Sequence, residues 1–162
     1  MALTARRLIR WVLLVLVAFL VVAQFVPVER TNPPSDPRQS LAATVAPPAP
    51  VAAALERSCH DCHSNDTKWP WYSRVAPVSW LLAADVREGR SHLNFSEWAT
   101  LDNRRRVRRL EEICEEITAG SMPDPKYVLL HPGAKLAPAE INAICEWTRL
   151  EAARLAAQPA NR

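Results

Sequence analysis

Glycine is scarce in this chain, and its scarcity limits how the chain can fold. The 162 residues include 3 glycines and 14 prolines, and apolar and polar residues rarely alternate in the manner of strands. Tight hairpin turns usually need glycine, whereas prolines mark the loops between helices. The sequence therefore predicts an all-α fold. A chain of this length is expected to form one domain with appendages rather than two independent cores.

The N-terminal region predicts a membrane segment. Arg6, Arg7 and Arg10 precede the apolar run Trp11–Ala23, and flanking apolar residues extend that run to residues 8–26. A helix of about 19 residues nearly crosses a bilayer core of about 30 Å. Arginines before the run predict that this end stays in the cytoplasm. We therefore expect a single-pass protein of the bacterial inner membrane whose remaining domain lies in the periplasm; the alternative is a signal peptide cleaved near Ala23.

The same three arginines account for the net charge of +3. Residues 51–162 contain 15 Lys and Arg against 15 Asp and Glu, so that part of the chain is neutral. A nucleic-acid partner would require a basic surface there. We therefore expect the membrane as a partner and no nucleic acid.

Residues 27–50 are rich in proline and contain little that could form a core. This composition predicts an extended tether with polyproline character. The predicted organisation is a basic cytoplasmic N-terminus (1–7), a transmembrane anchor or signal (8–26), a proline-rich linker (27–50), a helical domain (51–157) and a tail (158–162).

Helix signals divide the domain into four main segments. A short helix is predicted over Val51–Arg57, and a second begins after Pro77 and ends at a Gly89 cap. Asp102 opens a third helix, which Gly120 closes. The last helix runs from about Pro138 to Ala157, with apolar residues at three- and four-residue spacing.

Residues 59–63 carry the strongest chemical signal, since their sequence is CHDCH. C-x-x-C-H is the attachment signature of c-type haem: two thiols one helical turn apart can bond one porphyrin, and the adjacent histidine can ligate the iron. Cys59 and Cys62 are the predicted attachment residues, and His63 is the predicted iron ligand. Zinc ribbons and thioredoxin-like sites also use C-x-x-C, but the second cysteine pair or the βαβ pattern that each would need is missing. The expected cofactor is one covalent haem c with its iron.

Met122 is the best candidate for the sixth iron ligand. It follows the predicted helix end at Gly120, it precedes Pro123, and it is the only methionine after the apolar segment. A methionine filling a gap in the core is the alternative. His131 and His92 are weaker candidates, because turn histidines commonly pack or cap.

A group of aromatic residues follows the motif. Trp69, Trp71 and Tyr72 are predicted to contact the apolar porphyrin, and Arg74 is predicted to lie at its edge near the propionates. Ordinary core packing is the alternative.

Cys114 and Cys145 lie on the apolar stripes of two predicted helices. If these helices pack face to face in an oxidising compartment, the two residues could form a disulfide. Two separate buried thiols are the alternative.

The segment CHDCHSNDTKWPWYSRVAPVSWLLAADVREGRSHLNFSEW resembles the bacterial haem-binding domain family, whose members are short exported or membrane-tethered proteins with one C-x-x-C-H. The similarity continues through Met122-Pro123, YVLLHPGAKL and the Trp147 helix, over about residues 50–150. It implies a small cytochrome c-like domain with haem on Cys59, Cys62 and His63, and it makes Met122 the matching distal ligand. Members commonly have Met-Pro-Pro here, whereas this chain has an aspartate between Pro123 and Pro125.

Three functions fit these features. The leading hypothesis is a one-electron carrier, because His/Met ligation raises the reduction potential and leaves little room for a substrate. A haem enzyme of the peroxidase type, or a ligand sensor, would need an open sixth position. A passive haem module that docks on a larger membrane oxidoreductase is the third. The sequence does not identify the redox partner.

Overall fold

The structure, a computed structural model, describes residues 2–158. Residues 159–162, which make up most of the predicted tail, and residue 1 lie outside that range. Eight α-helices are described: α1 (Ala2–Ala23), α2 (Leu41–Val45), α3 (Ala49–Ser58), α4 (His60–His63), α5 (Val78–His92), α6 (Asn103–Ala119), α7 (Pro125–Leu130) and α8 (Pro138–Ala156). Short 3-10 turns lie at Pro37–Gln39, Trp71–Arg74, Phe95–Thr100 and Pro132–Ala134. No strand occurs within the described range, so the all-α prediction is confirmed.

The described residues form two compact units. One, the N-terminal unit, contains residues up to 31 together with 69–85. The other, the motif unit, contains residues 32–68 together with those from 86 onward. The division falls within α5, after Asp85.

The N-terminal unit is held together by polar contacts between the end of α1 and residues 73–76. Gln24 follows the end of α1, and its side-chain amide donates to the Ala76 carbonyl (3.3 Å) and accepts from the Ala76 amide (3.0 Å). Arg30 donates to the Ser73 carbonyl (2.7 Å). These three bonds attach the backbone of residues 73–76 to residues 24–30.

The motif unit is organised around the packing of α6 on α8, the most extensive helix contact in the described chain. Its core includes the buried side chains of Leu55, Trp98, Leu110, Ile113, Ile117, Ile144, Trp147 and Leu155. A disulfide between Cys114 and Cys145 joins the two helices, so the bridged alternative is confirmed. With a sequence separation of 31 residues, the loop-entropy model assigns this crosslink about 3–4 kcal/mol of stability.

The ends of α6 and α8 follow the predicted signals. The Asp102 carboxylate accepts from the Arg105 amide (2.8 Å), and Gly120 adopts a left-handed conformation with φ of 74°. Pro138 occupies the first turn of α8, where a missing amide hydrogen does no harm. In the same turn, Glu140 accepts from the Ala137 amide (2.8 Å). Both predicted helices are therefore confirmed.

The prediction of an extended tether over residues 27–50 is wrong for its central part. Pro37–Gln39 and α2 are helical and pack on the 3-10 turn Phe95–Thr100. The Ser40 hydroxyl accepts from the Ala43 amide (3.1 Å) and caps α2, and Leu41 is buried in the core. The serine cap and the burial of Leu41 stabilise this short helix, although prolines lie on both sides of it.

The predicted helix end at Gly89 is also wrong, because α5 continues to His92. Among the glycines of the described chain, only Gly120 has a positive φ. Gly89 is therefore not a left-handed cap.

None of the helices within residues 2–158 has the length and apolar character needed to cross a membrane. The transmembrane anchor predicted over residues 8–26 is thus not supported. α1 ends at Ala23, so Phe25 and Val26 do not lengthen it, and its first half contains three arginines.

Candidate cofactor site around Cys59, Cys62 and His63

The C-x-x-C-H motif forms a single helical turn. Cys59 caps the one-turn helix α4, and its carbonyl accepts from the amides of Cys62 (3.2 Å) and His63 (3.0 Å). Neither cysteine belongs to a disulfide, and both are partly buried. The turn therefore places two reduced thiols at i and i+3 beside an imidazole, which is the donor set that covalent haem attachment requires.

His63 is oriented for ligation by a backbone carbonyl. Its Nδ1 donates to the Leu93 carbonyl (3.0 Å), because a carbonyl oxygen can only accept. The proton is thereby fixed on Nδ1, and Nε2 keeps the lone pair that a metal needs. Burial lowers the pKa of His63 below its ordinary value, although the carbonyls of Leu93 and Gly89 act in the opposite direction. The imidazole is therefore neutral near pH 7, as ligation requires.

Gly89 lets α5 pass directly against the motif. A Cβ atom at this position would lie 2.7 Å from the Cys62 carbonyl oxygen and 3.3 Å from the Cys62 Cβ. Contacts under 3.0 Å essentially do not occur between a real Cβ and a neighbour. A side chain here would push α5 away from the motif, so glycine is required by close approach rather than by its own dihedral angles.

The two other chemistries open to a C-x-x-C pair are disfavoured. Burial, followed by the neighbouring Cys62, raises the pKa of Cys59 to about 12, although Arg57 acts in the opposite direction. A thiol-exchange site of the thioredoxin type needs a lowered cysteine pKa. Cys114 and Cys145 are bonded to each other and cannot complete a four-cysteine zinc site. No group of three or more His, Cys, Asp or Glu residues suited to a metal ion occurs in the described range.

Arg90 fixes the loop that leaves the motif. Its guanidinium donates to the Ser64 carbonyl (2.7 Å) and to the Thr67 hydroxyl (2.8 Å). The Thr67 hydroxyl in turn donates to the Asp61 carbonyl (2.7 Å). Ser64 and Thr67 are buried. Because Arg90 follows Gly89 directly, one turn of α5 both contacts the motif and binds the loop after it.

Met122 lies in the loop between α6 and α7. Its amide and that of Ser121 both donate to the Glu116 carbonyl (3.2 Å each), which ties the start of the loop to the end of α6. The Met122 side chain is 38% exposed. It belongs to the motif unit, as His63 does, and its iron ligation stays a prediction.

The predicted aromatic contacts fall in the N-terminal unit. Trp71 is 78% exposed and meets Tyr72 edge-on, with ring centroids 5.8 Å apart. Trp69 and Tyr72 are half-buried, and Arg74 is exposed. Their contact with haem stays a prediction, as does the place of Arg74 at the porphyrin edge.

The weaker histidine candidates have other contacts. His92 is exposed and lies 3.9 Å from Glu88. His131 stacks on Tyr127 at a centroid distance of 4.2 Å. The stacking of His131 is the packing role that the sequence favoured for it.

Sequence reasoning missed several residues that shape the site. Leu93 acts through its backbone carbonyl, which no side-chain pattern reveals. The sequence marked Gly89 as a helix cap, which is the wrong role. Arg90 binds the loop after the motif, and the Tyr127 hydroxyl donates to the Asp61 carboxylate inside it (2.9 Å). Both residues are distant from the motif along the chain, so spacing gave no signal for them.

Comparison with known proteins found a family match. A protein-family model described as a haem-binding domain matches residues 18–150, and the resemblance inferred from the sequence is thereby confirmed. No match was found among curated proteins or solved structures.

Replacing Gly89 by Ala is expected to destabilise the motif unit by about 1–3 kcal/mol, because the added methyl group forces α5 off the Cys62 carbonyl. Urea denaturation followed by circular dichroism measures the change. Gly133→Ala is the matched control, since a Cβ there meets nothing within 4 Å. Equal stability of the two variants would contradict the close-approach argument.

Proposed function

This chain belongs to the haem-binding domain family, and we propose that it is a mono-haem c-type cytochrome that transfers single electrons. Cys59 and Cys62 form the two thioether bonds, and His63 is the proximal ligand. When bound, haem supplies an iron that changes between the ferric and ferrous states.

The orientation of His63 carries this proposal. Its bond to the Leu93 carbonyl favours the tautomer in which Nε2 carries the lone pair, and burial favours the neutral ring. The bond also makes the ligand more basic, which is the usual role of such outer partners.

Covalent attachment is expected to survive denaturation. Haem should migrate with the full chain in denaturing gel electrophoresis, detected by its peroxidase stain, after expression in a host that matures c-type cytochromes. Replacing both Cys59 and Cys62 by Ala should abolish the stained band, because no thiol remains at the motif. The double replacement of Cys114 and Cys145 by Ala is the control and should keep the band. A band in the first variant would refute attachment at the motif.

Met122 is proposed as the sixth ligand, which fits an electron carrier because it closes the iron to substrates. Met122→Ala should remove the weak near-infrared charge-transfer band of ferric sulfur ligation, lower the reduction potential and allow carbon monoxide to bind the ferrous protein. Met122→His should remain six-coordinate and low-spin without that band. If wild type lacks the band and Met122→Ala changes neither spectrum nor potential, methionine is not the ligand and the open-site enzyme or sensor gains support.

We also propose that the protein is exported and stays associated with the membrane through its N-terminal unit. The arginines before the apolar run support export, and the Cys114–Cys145 disulfide fits an oxidising compartment.

The N-terminal unit also buries small residues and exposes large apolar ones. Buried are Ser73, Ala76, Ser79 and Ala83, whereas exposed are Trp71, Val75, Val78 and Leu81. A unit surrounded by water would do the reverse, so this pattern supports contact with lipid.

A periplasmic reporter fused after residue 50 is expected to be active, and the chain is expected to stay in the membrane fraction after carbonate extraction. An inactive reporter would contradict export. Release of a shortened protein by carbonate would mean that the N-terminal segment is cleaved near Ala23.

A further inference from the structure

Asp61 lies inside the haem motif, between the two cysteines, and all its side-chain acceptor atoms are engaged. Its Oδ1 accepts from the Lys68 amide (3.1 Å), and its carbonyl accepts from the Thr67 hydroxyl (2.7 Å). Its Oδ2 accepts from the Tyr127 hydroxyl (2.9 Å), across 66 residues of sequence. The first two bonds hold Asp61 in place from its own loop. The third connects the motif to α7.

Tyr127 is held within a short and well-defined segment. It belongs to α7, whose start is capped by the Asp124 carboxylate accepting from the Lys126 amide (2.7 Å). Its ring stacks on His131 with an interplanar angle of 25°. The phenol is therefore presented to Asp61 by a helix and a stacked neighbour rather than by an irregular loop.

The loop that carries Met122 is consequently fixed at both ends. At its start, the amides of Ser121 and Met122 donate to the Glu116 carbonyl at the end of α6. At its far end, α7 is bound to the motif through Tyr127. Tyr127 follows Met122 by five positions, a reach of at most about 18 Å, and Pro123 and Pro125 restrict the backbone between them further.

We propose that the Tyr127–Asp61 hydrogen bond positions Met122 for iron ligation, which makes Tyr127 a positioning residue for the sixth ligand. This inference rests on the proposed His/Met ligation. It also gives Asp61, which stands between the two cysteines of the motif, a specific role. The same turn that bears the proximal ligand also holds the segment that presents the distal one.

A substitution at Tyr127 can remove its hydrogen bond and keep the packing of its ring. The turn Pro132–Ala134, directly after α7, packs on α3, and Ala134 is buried. Tyr127→Phe keeps the ring that stacks on His131 and removes only the hydroxyl. The segment is therefore expected to stay folded while the methionine is held less firmly. Loss of a hydrogen bond to a charged group corresponds to about a 10- to 100-fold change in an equilibrium constant.

The test uses the full-length haem-loaded protein and imidazole, which competes with methionine for ferric iron. Tyr127→Phe is expected to bind imidazole about 10- to 100-fold more tightly than wild type, to weaken the near-infrared sulfur band and to lower the reduction potential. Asp61→Ala should match it. Asp61→Asn should lie between wild type and Asp61→Ala, because its side chain keeps one of the two acceptor oxygens. The Tyr127→Phe/Asp61→Ala double variant should add nothing further. Thr44→Val, which removes an exposed hydroxyl of α2 that donates to the Ser40 carbonyl (2.8 Å), should behave as wild type.

The outcomes separate this inference from the proposed function. If wild type shows the sulfur band but Tyr127→Phe and Asp61→Ala bind imidazole as wild type does, the positioning role is refuted while the cytochrome assignment stands. The positioning role is likewise refuted if Tyr127→Phe lowers the melting temperature and leaves imidazole affinity unchanged. If wild type lacks the sulfur band, Met122 ligation fails before any variant is made, and this inference fails with it.

Discussion

The close crossing of α5 over the C-x-x-C-H motif is the constraint on which the candidate site depends. Gly89 lets the helix approach within contact distance of the Cys62 backbone. This approach brings the residues that follow Gly89 within hydrogen-bonding distance of the motif and its loop. Arg90 reaches the carbonyl of Ser64, and Leu93 directs its carbonyl at His63. With a wider crossing, both bonds would lengthen, and His63 would lose the partner that fixes its tautomer.

The sequence predicted those elements whose determinants are local. Asp102 and Gly120 delimit α6 because a carboxylate cap and a left-handed glycine act within one turn of the helix end. The motif turn was predictable for the same reason, since Cys59 and His63 are connected by the hydrogen bond of a single turn. Family membership then gave the cofactor class.

Predictions failed or stayed incomplete where distant parts of the chain meet. Gly89 was expected to cap a helix because glycine commonly ends helices, yet its role depends on Cys62, which is far from it in sequence. α2 was not predicted, because the prolines around it indicate an extended chain and its one buried leucine gives no helical pattern. The partner of His63 is a backbone carbonyl, and any residue at position 93 would provide that atom.

The four cysteines place opposite chemical demands on one chain. Cys114 and Cys145 are oxidised in the disulfide that joins α6 and α8, whereas the proposed haem attachment needs Cys59 and Cys62 as reduced thiols. Four cysteines can form two disulfides in three different ways. One pairing changes into another when a thiolate attacks a disulfide. Burial raises the pKa of Cys59 to about 12, so its thiol is mostly protonated at neutral pH and reacts slowly with a disulfide. The packing that buries Cys59 therefore also slows its exchange with the Cys114–Cys145 disulfide, which favours the pairing that the fold contains.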